Sequence, residues 1–267
     1  AMIEEKEKIR SEETAKKRNI EDYEVLTLPE KVYSSYSYPN FLKDSAYFAI
    51  KTGLDIIPVF VKINADGTEK KLFNPGTLNS GRISVYENRI IWDEFRQDIR
   101  WTNRNYSIIR EYNYETKTVR SLSRNTRYSS PSYSENGDAI VVIETTPQQK
   151  TILVLLSALD GKIISKVQSP GDICLQSPVF IGGTTLIAVI ANNEKGKSVI
   201  LFNRETNKWD TILHVGFFDI QDLLSYDNYL LFQGSFNGND DIYGINIATK
   251  ELFRITSSAF GAYHPAF

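Results

Sequence analysis

The 267 residues contain a single cysteine, Cys174, a single methionine and only two histidines, His214 and His264. One thiol excludes a disulfide within the chain. It also excludes the paired Cys/His sets that hold structural zinc. No run of 18 or more apolar residues occurs, so no segment reads as a membrane-crossing helix. The net charge is only −2, which leaves no basic footprint for DNA or RNA. Catalytic signatures are missing too. There is no Gly-x-Ser-x-Gly elbow, no His-Glu-x-x-His and no glycine-rich phosphate loop between a strand and a helix. These absences lead to a reading with no catalytic residues, no metal and no cofactor.

What is abundant is aromatic: 15 Tyr and 14 Phe. Aromatic and β-branched side chains suit a pleated, half-buried surface, so an all-β chain is expected. The exception is the beginning, where Ile3 to Arg18 is rich in Glu, Lys, Arg and Ala. These residues favour helix. Only Ile3, Ile9 and Ala15 are apolar, too few for a docking stripe. Residues 1–22 therefore read as a solvated helical leader or linker. Glu24 to Leu28 then alternates like a short strand.

Two landmarks recur along the rest. Pro opens an apolar strand at Pro39, Pro131, Pro178 and Pro265, with gaps of 92, 47 and 87 residues. Divided into two, one and two units, these give a period of about 45 residues. Independently, Asn or Ser closes a strand before a tight turn at Asn64, Asn113, Ser157, Asn203 and Asn246. That spacing has the same period. Within a unit, Ala139 to Glu144 and Thr151 to Leu156 are strands apolar on both sides. A strand of that kind must be buried on both faces. Four strand-sized pieces per unit point to a β-propeller of four-stranded blades. A β-sandwich is the alternative, but it would carry no supersecondary period.

The expected blades span about 36–76, 77–126, 127–171, 172–216 and 217–259, with a truncated sixth from 260, inside a propeller covering 23–267. An open ring leaves strand edges unpaired. The chain is therefore expected to be part of a longer protein, and a monomer unless another chain completes the ring. Val25 to Leu28 could serve as an outer strand of the closing blade.

Asp241-Ile242-Tyr243 with Ile255-Thr256, and Pro131-Ser132-Tyr133-Ser134-Glu135-Asn136-Gly137, resemble the repeat of the TolB-like six-bladed propeller family. Ile83 and Leu223 stand near where two further prolines would fall. The resemblance covers residues from about 36 onwards. It implies a periplasmic or cell-envelope setting and a non-catalytic binding or scaffold module for a protein, peptide or glycan. It leaves open the gating propeller of a prolyl-oligopeptidase-like serine peptidase.

Candidate site residues follow from position. Those just before the Pro landmarks should ring one mouth of the channel: Tyr38, Ser130, Ser177 and His264, with Arg82 and Asp222 in the degenerate units. Every propeller has such a ring, whether or not it binds anything. A second candidate is the long connection Asp93 to Tyr106, which should open onto the same face. It carries Trp101 among Arg96, Arg100 and Arg104. Trp and Arg are enriched at recognition hot spots. The structural counter-reading is that Trp101 covers a neighbouring blade while the charges pair locally. Asn237 to Asp241 could ligate calcium, yet lacks a calcium loop's closing Glu and reads as a hairpin turn. Cys174, between Ile173 and Leu175, reads as a small buried residue.

Overall fold

A computed structural model describes residues 24–42, 45–101, 103–236, 238–258 and 260–266. The helical leader expected over 1–22 lies outside them. The described residues contain strands and turns and no helix. Twenty strands form five antiparallel sheets of four, each in sequential order from the channel outwards. The first blade holds β1 (Ser34–Phe41), β2 (Tyr47–Gly53), β3 (Val59–Ile63) and β4 (Glu69–Phe73). The second holds β5 (Leu78–Tyr86), β6 (Arg89–Gln97), β7 (Asn105–Asn113) and β8 (Thr118–Ser121). The third holds β9 (Tyr128–Tyr133), β10 (Ala139–Thr145), β11 (Thr151–Ser157) and β12 (Ile163–Gln168). The fourth holds β13 (Cys174–Phe180), β14 (Leu186–Asn193), β15 (Gly196–Asn203) and β16 (Lys208–Gly216). The fifth holds β17 (Ile220–Tyr226), β18 (Tyr229–Gly234), β19 (Asp241–Asn246) and β20 (Leu252–Arg254). The first strands β1, β5, β9, β13 and β17 follow one another around the channel.

Four apolar seams join the five blades. Alternation explains how one strand serves two of them. In β10, Ile140 and Val142 pack against Ile91 and Ile109 of the second blade. Val141 and Ile143 point the other way, onto Ile187 and Val189 of the fourth. The first and second blades meet through Phe48, Phe60 and Trp92, with Phe60 and Trp92 edge to face. The fourth and fifth meet through Ile190, Leu201, Phe232 and Tyr243. No sheet of its own stands between the fifth and first blades among the described residues. There Ala49, Val59, Val61 and Ile63 form a small cluster within the first blade, packed by Tyr36 and Tyr47.

Both sequence landmarks have a mechanical cause. Asn113, Asn203 and Asn246 each end a third strand. Each side-chain oxygen then accepts the next two free backbone N–H groups, from Glu115 and Thr116, Glu205 and Thr206, and Ala248 and Thr249, at 2.9–3.1 Å. Ser157 makes a longer version to the Leu159 N–H. The proline marks a β-bulge. Residues 38–39 face the single residue Ala49, 130–131 face Val142, 177–178 face Val189, and 222–223 face Phe232. Proline has no N–H to give a ladder, so a bulge is where a strand tolerates it.

Three expectations are corrected. Glu24 to Leu28 forms no strand. Instead the Leu26 carbonyl and the Leu28 side chain approach Gly67, in the turn between β3 and β4 of the first blade. The sixth unit contributes no strand among the described residues: 255–258 and 260–266 run as irregular chain, so the described residues form five blades. The supposed loop Asp93 to Tyr106 is mostly ladder, since β6 and β7 are nine residues each and only 98–104 connects them.

Asn203→Ala and Asn246→Ala should each lower stability by about 1 kcal/mol, the worth of a turn-capping side chain. The double variant should be additive, because the two turns lie in different blades. Thermal melts that leave either single variant unshifted would show that the recurrent Asn does not hold its turn.

Candidate functional site

In an up-and-down blade, the start of the first strand and the hairpin between the second and third lie at the same end. That end carries the open mouth of the channel. A funnel of about 400 Å³ narrows between the bulged inner strands, with Tyr38, Ser130, Ser177 and Asp222 in its wall. These four expected residues share a backbone feature. Tyr38, Ser130, Ser177 and Asp222 have φ of 52°, 53°, 47° and 52°, and His264 has 53°. Left-handed backbone at a residue other than glycine costs on the order of 1 kcal/mol. At the first four the bulge imposes it and swings the side chain out of the pleat, whereas His264 lies in irregular chain.

Arg82 needs a correction of one position. In the second blade the bulge is larger, with residues 79–82 facing Asp93 alone. Gly81 takes the left-handed place, with φ 79°, and Arg82 stands where the other blades have Pro or Leu. Its side chain crosses the channel. The Nη2 donates to the Leu223 carbonyl of the fifth blade at 2.6 Å, while Nη1 is buried without a hydrogen-bond partner among the described residues. Burial works against the Arg82 charge, and the neighbouring Asp222, Tyr38 and Asp93 support it.

Beside Arg82 lies a second, smaller pocket of about 60 Å³, lined by Tyr38, Arg82, Asp222, His264 and Pro265. The expected ring thus occupies two levels. Ser130 and Ser177 face only the funnel, Arg82 and His264 only the inner pocket, and Tyr38 and Asp222 both. His264 bridges the gap between the fifth and first blades. Its Nδ1 lies 2.7 Å from Asp222 Oδ2, and its ring is 4.1 Å from that of Tyr38. Burial and the nearby Asp222 push the Tyr38 hydroxyl up to about 12.

Asp93 was expected in an exposed charged loop, yet it is fully buried in β6. It accepts the backbone N–H groups of Ser80 and Ser130 at 3.1 Å and so ties the bulges of two blades together. Its counterparts Ala49, Val142, Val189 and Phe232 are apolar, because their smaller bulges leave no such demand. Burial raises its carboxyl above the usual range, against the lowering effect of these hydrogen bonds.

Trp101 and Arg100 sit on the 98–104 turn. Asp98 builds that turn by accepting the N–H groups of Arg100 and Trp101 at 2.8 and 3.1 Å. Those bonds hold its carboxyl below the usual range. Arg96 pairs with Glu94 at 2.6 Å, and the Arg104 guanidinium lies 5.5 Å from the centre of the Tyr106 ring. Trp101 is 64% exposed and covers no blade. The Arg100 guanidinium makes no ion pair among the described residues. Between this hairpin and the third blade runs a groove of about 370 Å³, lined by Phe95, Asn103, Tyr106 and Gln149 among others. Asn79, Ser129 and Thr145 line both groove and funnel, so the two are continuous.

Cys174 is exposed and lines the funnel, contrary to the buried place expected for it. Sequence reasoning also missed Gln176, Thr145 and Asn79 as lining residues. The signal for Gln176 was its place one residue before the left-handed position, which is equally polar at Ser37, Ser129 and Gln221. Of the segment Asn237 to Asp241, read as a hairpin turn, Asn237 lies outside the described residues. Asp241 is spent inside β19, bonded to Arg254 and Thr256.

No family model matches the chain, and no curated protein matches it. Among solved structures, the chain is similar to TolB from Acinetobacter baumannii, with a TM-score of 0.67 at 10% identity. That match covers 90% of this chain but only 58% of the TolB chain. A putative TolB from Agrobacterium tumefaciens matches with a TM-score of 0.64 at 8% identity, over 83% of this chain and 80% of that one. A study of two prolyl endopeptidases supplies a match with a TM-score of 0.54 at 11% identity, over 84% of this chain and 36% of that one. At such identities the likeness is one of fold: a β-propeller.

Asp93→Ala should cost about 2–6 kcal/mol, since it removes the acceptor of two buried backbone donors worth about 1–3 kcal/mol each. The raised carboxyl has a pH signature. The folded chain binds this proton more readily than the unfolded one, for which the pKa is about 4. Stability from this group therefore falls as pH rises from about 4 through the folded value. Thermal melts of the wild type should show that decline, and Asp93→Asn should show it less. A wild-type profile parallel to that of Asp93→Asn would refute the assignment.

Proposed function

We propose that this propeller is a non-catalytic binding or scaffold module that engages a protein, peptide or glycan through the face bearing the funnel. One observation carries the reading. The most exposed large apolar side chains gather on the loops of that face. Leu54, Phe217 and Phe260 are 88%, 92% and 89% exposed, and Ile57, Ile99 and Trp101 join them from the same end. At the opposite face, two are comparably exposed among the described residues: Leu159 on its turn, and Val25, next to the Leu26 that meets the turn between β3 and β4. Exposed apolar side chains clustered on one face, with polar groups between them, mark interaction surfaces. Arg100 beside Trp101 adds two of the residue types enriched at binding hot spots. A periplasmic or envelope location belongs to the same proposal. The fold-level likeness to two TolB structures supports it.

The gating propeller of a serine peptidase is the second reading, favoured by the likeness to the prolyl endopeptidases. It requires the coding sequence of the full protein to include a hydrolase segment with a Gly-x-Ser-x-Gly elbow. Finding none there would leave the binding module alone.

Arg100→Ala combined with Trp101→Ala should weaken capture of the cognate partner at least tenfold. Both side chains are exposed, so the melting temperature should move little. Undiminished capture by a folded double variant would remove this hairpin from the interface.

A further inference from the structure

The groups lining the funnel and its groove define a ligand chemistry. The charges in the funnel wall are already engaged. Lys197 binds the Asp219 carboxylate and the Ile220 carbonyl, and Asp222 binds His264. In the groove, Arg127 is the single charge, and it has no ion pair among the described residues. By contrast, the side chains of Ser130, Ser177, Gln176 and Thr145 make no hydrogen bond to any described residue, although all four line the funnel. Hydroxyl and amide groups of this kind both donate and accept. The adjoining groove adds the aromatic rings of Phe95 and Tyr106 beside Asn103 and Gln149.

We infer that funnel and groove together bind an uncharged oligosaccharide. Sugar hydroxyls, which also donate and accept, match unspent Ser, Thr, Gln and Asn groups on several sides. The C–H face of a pyranose ring packs on an aromatic ring, as apolar surfaces do. A carboxylated or phosphorylated ligand would find only Arg127 free. A peptide added as a further strand would need an unbroken row of backbone donors and acceptors. The bulge in every inner strand interrupts that row. The inference rests on reading this face as a binding face, and it assigns the funnel and groove a ligand separate from whatever Trp101 touches.

The test uses the full chain and three ligand sets: neutral gluco-, chito- and malto-oligosaccharides, oligogalacturonates, and short uncharged peptides. Binding is read by calorimetry and by protection of the Cys174 thiol from alkylation. At least one neutral oligosaccharide should bind, slow Cys174 alkylation severalfold and be insensitive to salt. Gln176→Ala and Phe95→Ala should each weaken that binding at least tenfold, with Ser177→Ala as a milder variant if either fails to fold. Trp101→Ala should leave it unchanged. Tighter binding of oligogalacturonates that depends on Arg127 overturns the neutral assignment. Peptide binding that depends on Gln176, with no sugar binding, overturns the sugar while keeping the face. Unprotected Cys174 with all three sets overturns the ligand site itself, whether or not the Trp101 hairpin captures a partner.

Discussion

Each blade of this protein is a thin sheet with apolar side chains on both faces, and neither face can be left in water. Burying a Val, Leu, Ile or Phe side chain contributes roughly 1.5–3 kcal/mol. A strand such as Ala139 to Thr145 cannot realise that gain within its own sheet, because alternate residues point away from each other. Ile140 and Val142 need one neighbour, and Val141 and Ile143 need another. Radial stacking of similar sheets meets both needs. A central channel is its geometric by-product. The first and fifth blades, with one such seam each, complete their outward sides differently, through the Tyr36 and Tyr47 cluster and the chain around His264.

The channel is shaped by a second constraint, one bulge per inner strand. Three residues before a Pro, Tyr38, Ser130 and Ser177, together with Asp222, adopt left-handed backbone at equivalent bulges, and His264 adopts it in irregular chain. The strain is local and repeated, and its effect is to turn side chains toward the axis. Where the bulge grows, in the second blade, the chain compensates with a buried Asp93 and a glycine. The same enlargement brings Arg82 to the Leu223 carbonyl beside the small inner pocket, while Tyr38 and Asp222 line both that pocket and the outer funnel.

Much of this was legible in the residues. The repeated Pro and Asn stand where they do for reasons of backbone hydrogen bonding, so their period reported the blade directly. Asn203 announced its turn because few other side chains bond two N–H groups just ahead of them. The ring positions were legible too, since Tyr38, Ser130, Ser177 and His264 precede the prolines. Asp93 was not. A carboxylate beside Glu94 and Arg96 looks like surface charge until the partners that bury it are known. Cys174 failed in the opposite direction, because apolar neighbours in a strand say nothing about whether that strand borders a cavity.

The sequence alone determined the strand period, the doubly apolar central strands and the turn chemistry, because each depends on contacts between residues close along the chain or on a pattern of twos. Tertiary structure decided which groups meet across the axis. Arg82 and Leu223 are far apart in the chain, as are Tyr38 and His264, and no local rule relates them. It also decided that the described residues make five blades and not six, and that Leu54, Ile99, Phe217 and Phe260, the most exposed of the large apolar side chains, share one end. Those outcomes depend on how sheets close around a centre, a matter of distance and angle between blades that no single repeat encodes.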